Sequence, residues 1–196
     1  MSFIKFFRTC SLPLVLAVPF LAQAENPPGI KNFHQVDQHV YRGAQPDKAG
    51  FEYLQRIGVK TIINLREADS KSKEEEKLVK AAGMKYISVP MTGLTPPTEN
   101  EISKILGILE DQNAGPVFVH CKRGADRTGA VIGAYRIDQH GWQNQRALDE
   151  AMSNGMSFFQ WPRQAYIRTF QKRKVEAKSA VATPVVPAAV LAPVAQ

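Results

Sequence analysis

Cysteine is nearly absent from this chain of 196 residues: Cys10 and Cys121 are the two it has. Cys10 falls in an N-terminal segment expected to be removed, so Cys121 is left as a lone thiol and an internal disulfide framework is excluded. Histidine is scarce too, and His34, His39 and His140 show none of the short spacings that gather metal ligands. No apolar run of the expected mature chain reaches the roughly 20 residues that span a bilayer, and no internal repeat is visible. The basic cluster Arg168, Lys172, Arg173, Lys174 and Lys178 reads first as a solvated helix face, with a nucleic-acid or lipid-headgroup patch as the alternative; the interleaved aromatics that bind single strands are absent from it. The formal net charge of +7 is only modestly basic.

The ends of the chain carry a different signal from its middle. Met1 to Ala24 hold Lys5 and Arg8, then a mostly apolar stretch from Ser11 to Leu21 interrupted by Pro13 and Pro19, then Ala22-Gln23-Ala24. That is the layout of a secretory signal with a small-residue cleavage site, so residues 1–24 are expected to leave and the product to be exported, periplasmic or secreted. Residues 175–196 are almost entirely Ala, Val and Pro; Pro184, Pro187 and Pro193 break any helix, and an extended, unfolded tail is expected. Residues 25–174 suit one domain with a real core. A single thiol with no second cysteine to shield it is liable to over-oxidation in an oxidising compartment, which favours catalysis over packing as its reason for being there.

What surrounds that thiol is the most informative stretch of the chain. His120-Cys121-Lys122-Arg123-Gly124-Ala125-Asp126-Arg127-Thr128 follows the apolar run Val117-Phe118-Val119 and precedes Ala130-Val131-Ile132. A buried strand, a tight loop with Gly124 for backbone freedom, and a helix whose free N–H groups face back at the cysteine make a phosphate cradle with a thiol at its centre. A free cysteine with a pKa of about 8.5 is only slightly ionised at neutral pH, whereas a helix N-terminus and a neighbouring cation lower it to roughly 3.5–7.5. The five intervening residues return Arg127 to the rim, where a guanidinium grips two phosphate oxygens in a fork that lysine lacks.

The pattern His-Cys-x-x-Gly-x-x-Arg-Thr resembles the signature of the cysteine-dependent protein tyrosine phosphatase superfamily, and the short chain resembles its compact dual-specificity branch. Tyr41-Arg42-Gly43-Ala44-Gln45-Pro46 and Asn64-Leu65-Arg66 are similar to segments of its bacterial, plant and fungal members. The resemblance implies that Cys121 attacks phosphorus and becomes a cysteinyl phosphate, that Arg127 holds the equatorial oxygens, and that Thr128 hydrogen-bonds the thiolate and eases its departure. It also implies that His120 braces the loop and that the amides of Lys122, Arg123, Gly124, Ala125, Asp126 and Arg127 complete the cradle. No metal or organic cofactor is required, because positioning and electrostatics do most of the work in phosphoryl transfer. The implied substrates are a phosphorylated protein, or an inositol phosphate or phosphoinositide.

One departure stands out. Most relatives carry a proton-donating aspartate on a separate loop, and the equivalent stretch here, Pro90 to Pro97, has no carboxylate. Asp126, inside the signature, is the first candidate for general acid, with a plain ion pair to a nearby basic group as the alternative; Glu99 and Asp69 are weaker candidates. Lys122 and Arg123 point out of the cradle and either attract further phosphates or stay solvated. Two other readings remain: a rhodanese-like sulfurtransferase, against which Gly124, Arg127 and Thr128 argue, and a phosphate-binding module without turnover.

The coarse pattern alternates strand and helix: a hairpin or edge over Phe33–Tyr41, a helix over Asp47–Ile57 closed by Gly58, a strand over Val59–Leu65, a helix over Lys73–Ala82 closed by Gly83, and a strand over Met84–Val89. Thr98 and Glu101 form a capping box before the stripe Ile102, Ile105, Leu106 and Leu109. The strand Val117–Val119, the helix through Ala130, Gly133, Ala134 and Ile137, and helices near Asn144–Met152 and Pro162–Lys174 follow, with Trp142 and Trp161 as core or lid packing. This predicts an α/β domain of three layers, with a mostly parallel central sheet of four to five strands flanked by helices and the active-site loop between the last strand and a helix.

Overall fold

Four short strands, Val40–Ala44 (β2), Thr61–Asn64 (β3), Lys85–Ser88 (β4) and Val117–Cys121 (β5), lie parallel in one sheet, and His34–Gln35 (β1) adds an antiparallel edge. The order is β1-β2-β5-β3-β4. Every residue of β3 and β5 is buried, as strands covered on both faces must be. The computed structural model describes residues 26–92 and 94–173; the expected leader and the expected tail lie outside the described residues.

Strict alternation splits the core in two. Ile62 and Phe118 point to one face, where they meet Phe51 and Leu54 of Lys48–Arg56 (α1) and Val79 of Ser70–Ala81 (α2). Ile63, Val117 and Val119 point to the other, under Glu99–Glu110 (α3), Asp126–His140 (α4), Asn144–Ser153 (α5) and Trp161–Thr169 (α6). The result is helix on sheet on helix, as the alternating pattern predicts. Among the described residues no helix is long and apolar enough to cross a membrane.

Local chemistry sets the helix starts. Asp47 accepts from Gly50 N at 3.0 Å to open α1, Asp69 accepts from Ser72 N at 2.8 Å to open α2, and Thr98 and Glu101 cap α3 reciprocally. The Asp69 cap places the start of α2 at Ser70, three residues before the expected Lys73. The last helix stops at Thr169 and not at Lys174: Phe170 leaves with extended backbone, and Asp138 draws the following segment in by accepting from Arg173 N at 2.7 Å. The expected hairpin or edge over Phe33–Tyr41 is present as the antiparallel pair of β1 and β2, but it does not end at Tyr41. β2 runs on to Ala44 as an inner strand, paired along its whole length with β5, and Arg42 within it is 1% exposed. Trp161, expected in the core or a lid, is 71% exposed. The guanidinium groups of Arg136 and Arg146 both stand over the Trp142 ring, 4.4 and 3.7 Å from its centre.

Candidate active site

β5 delivers Cys121 to the carboxyl edge of the sheet, opposite Ala44 of β2, and Asn64 of β3 stands opposite His120. This is the edge where open parallel sheets bind ligands. Cys121 is 2% exposed. Burial alone pushes its thiol up, but the Thr128 hydroxyl, the backbone N–H groups of Thr128 and Arg123, and the Arg127 guanidinium outweigh it, and the pKa lies below the ordinary thiol value. Thr128 Oγ1 is buried, and its hydroxyl is among the groups that favour the ionised sulfur.

The loop closes tightly over this sulfur. Gly124 has φ of +68°, and a Cβ there would sit 2.3 Å from the carbonyl carbon of Gly43; no other residue type fits both constraints. Buried Ala125 is the N-cap of α4 and supplies no capping side chain, unlike Asp47, Asp69 and Thr98 on α1, α2 and α3. The first N–H groups of α4 therefore carry the positive end of the helix dipole toward the loop without a side-chain oxygen in front of them. Arg127 is held at the rim by its Nη1, which donates to Met91 O at 3.2 Å and, more weakly, to Leu65 O at 3.4 Å. Those carbonyls belong to the segments after β4 and β3, so three connections of the sheet meet at one guanidinium.

The remaining predicted residues fall as follows. His120 is fully buried, stacked on Phe118, with Nε2 2.7 Å from Glu75 Oε1 though off line for a hydrogen bond. Lys122 and Arg123 are exposed on the rim. Asp126 accepts from Arg123 Nη2 at 2.5 Å through one oxygen and from Ser157 N at 2.9 Å through the other. Asp69 is an N-cap paired with Arg66 at 3.2 Å, and Glu99 sits in the first turn of α3, so neither stands on the phosphate loop.

Several further residues stand at the site without a role assigned from the sequence, although Arg42, Gln45 and Asn64 lie in the two segments similar to family members. Arg42 donates from Nη2 to Gly124 O at 2.7 Å beneath the loop; burial pulls its guanidinium down to about 10, which leaves it cationic at neutral pH. Glu75, at 2% exposure, accepts from Gln45 Nε2 at 2.8 Å and Asn64 Nδ2 at 3.3 Å while backing His120. Arg163 bonds Gln160 and reaches Thr92 O at 3.4 Å; burial first, and then Arg127, lower its pKa. Asn32 donates to Arg123 O, Gly124 O and Asn154 O. The connection between α5 and α6, which reaches Asp126 through Ser157, presents Phe158 and Phe159 to solvent at 80% and 79% exposure. A groove of about 540 Å³ beside Ala44 is lined by Lys31, Gln45, Asp47 and Lys122 among others.

An acidified thiol under a ring of N–H groups and a fixed guanidinium binds an oxyanion and attacks its central atom. Comparison with known proteins points the same way. Residues 22–169 match the family described as DSP-PTPase phosphatase fused to NAD+ kinase. The dual specificity protein phosphatase TpbA of Pseudomonas aeruginosa is 31% identical over 141 residues, 70% of this chain and 60% of that protein. Inositol diphosphatase DSP3 of Arabidopsis thaliana is 31% identical over 127 residues, 63% of this chain and 62% of that protein; the chain thus spans about 60% of the length of these curated relatives. The crystal structure of a Cys-to-Ser variant of TpbA in complex with pTyr superposes with a TM-score of 0.62 at 30% identity, covering 75% of this chain and 88% of that one. The catalytic core of the PP-IP phosphatase SIW14 from Saccharomyces cerevisiae gives 0.63 at 25%, covering 72% and 86%.

Proposed function

This chain belongs to the cysteine-dependent dual-specificity phosphatase family, and on that premise we propose that it hydrolyses phosphate monoesters of proteins, phosphotyrosine foremost. The single observation that carries the reading is the buried Cys121 thiol, acidified by Thr128, Arg123 and Arg127 at an N-terminus of α4 that no side chain caps. Sγ attacks phosphorus; the ester P–O bond breaks and the leaving oxygen takes a proton; water then cleaves the P–S bond, releasing inorganic phosphate and regenerating the thiolate. Arg127, fixed by Met91 O and Leu65 O, meets the equatorial oxygens at no further cost of reorganisation.

The pTyr complex of TpbA supports a protein substrate. A second reading, hydrolysis of an inositol phosphate or phosphoinositide, is favoured by the groove beside Ala44, where Lys31 and Lys122 offer charge for an additional phosphate; DSP3 and SIW14 bear names of that activity. The deciding experiment compares kcat/KM for a phosphotyrosine peptide, a phosphoserine peptide, a phosphoinositide and inositol hexakisphosphate. The phosphotyrosine peptide is expected to rank first, and Cys121→Ser to lose turnover while still binding phosphate. An inositol substrate in first place transfers the assignment to the second reading, and no turnover of any of them leaves a phosphate-binding module.

The same proposal places the protein outside the cytoplasm, on the layout of residues 1–24. Recovery of the intact chain, Cys10 included, only from the cytosolic fraction overturns that placement.

A further inference from the structure

In a trans peptide the carbonyl and the next N–H point in opposite directions, and the described residues contain no cis bond. A carbonyl pinned on the outside of the phosphate loop therefore aims the following amide to the inside. Two are pinned from outside by one side chain. Asn32 Nδ2 lies 3.3 Å from Arg123 O and 3.1 Å from Gly124 O, and the same nitrogen reaches Asn154 O, just past α5, at 2.9 Å. Two hydrogens serve three carbonyls, so at least one bond is shared. Arg42 adds a second donor to Gly124 O. The amides oriented in this way are those of Gly124 and Ala125, in the middle of the cradle.

The backbone at Asn32 is shaped for the task. Among the described residues it is the one non-glycine with φ in the left-handed region, at +52°, a conformation that asparagine tolerates better than most. Its neighbour Lys31 is anchored by Ala44 N, which donates to Lys31 O at 2.8 Å, and Ala44 stands opposite Cys121 in the sheet. The turn thus starts from a point fixed beside the nucleophile. At the far end of the amide, Oδ1 lies 3.1 Å from His34 Nε2. With three carbonyls around the other end, only the NH₂ group can face the loop.

We propose that Asn32 is a positioning residue: without touching substrate, its amide presets the Gly124 and Ala125 N–H groups toward the transferred phosphoryl group and ties the phosphate loop to α5. The part of this that concerns turnover rests on the phosphatase reading; the part that concerns anion binding does not.

Asn32→Gly separates positioning from mere stability, because glycine keeps the left-handed backbone without strain and removes the amide alone. The thermal midpoint is expected to stay close to wild type. Protection of Cys121 against iodoacetamide by inorganic phosphate is expected to weaken by about ten- to a hundredfold, the effect of losing preset donors, and kcat/KM on an aryl phosphate to fall by a similar factor. Asn32→Asp is isosteric, sets acceptors against the three carbonyls, and should be at least as severe; it serves as the test if the glycine variant does not fold. Unchanged phosphate protection in a folded variant overturns the proposal. Wild-type protein that phosphate protects but that hydrolyses no monoester sinks the phosphatase reading and leaves the loop-positioning claim standing.

Discussion

Both oxygens of Asp126 are acceptors in the resting site, one from Arg123 and one from Ser157 N. A proton leaving from this carboxyl has to come from the oxygen that Arg123 holds, and the Arg123 side chain is 57% exposed, so a substrate phosphate can draw it away. With no carboxylate anywhere in Pro90–Pro97, we predict that Asp126 supplies the leaving-group proton. Asp126→Asn should then lose about a hundredfold more on an alkyl phosphate, whose leaving group needs protonation, than on an aryl phosphate with a good leaving group. Equal losses on both would reduce Asp126 to a tie between the loop and Ser157. The contrast with Arg42 and Asn32 shows what a sequence carries at this scale. Cys121, Gly124, Arg127 and Thr128 are legible because their chemistry is written within nine consecutive positions. Arg42 and Asn32 act on the same loop from 82 and 91 residues away; Arg42 lies in a segment similar to family members, but no local pattern assigns either residue to this loop.

Elements conceal residues in a different way. The run Lys71-Ser72-Lys73-Glu74-Glu75-Glu76-Lys77 looks like a solvated face, yet Ser72, Glu75 and Val79 share the inner side of α2 at helical spacing and are buried. The Glu75 carboxylate gathers Gln45, Asn64 and the His120 ring behind the nucleophile. Glu75→Ala takes an acceptor from the Gln45 and Asn64 amides and the facing carboxylate from His120, and should lower stability by about 1–3 kcal/mol. Urea titration of the two proteins measures it, and an unchanged midpoint would show that α2 does not support the site. The Thr98–Glu101 capping box, the glycine stops and the α3 stripe were legible, since each is set by neighbours three or four residues away, whereas the Asp69 cap of α2 was not picked out. The inner strand β2 was not, because its burial comes from pairing with β5, far along the chain.

At the scale of the molecule, the strand order places β5 between β2 and β3, so the segments that follow three parallel strands converge on one edge. β2 ends beside Cys121, and the segments after β3 and β4 each give Arg127 a carbonyl. Buried α4 then closes the site from below with its N-terminus. The layer architecture could be read from alternation along the chain, whereas this convergence depends on the strand order, which local patterns do not encode. Its outcome is a loop, held in shape by that convergence, whose own Thr128, Arg127 and Arg123 make the thiol acidic. The most direct test is the pH dependence of Cys121 alkylation by iodoacetamide, read at that residue by mass spectrometry with and without inorganic phosphate. A depressed pKa keeps more of the thiolate formed as pH falls below the ordinary value of about 8.5. The midpoint of the rate profile should therefore lie below that value, and alkylation should be suppressed by phosphate. A rate that instead climbs until about pH 8.5, with no response to phosphate, would contradict the account.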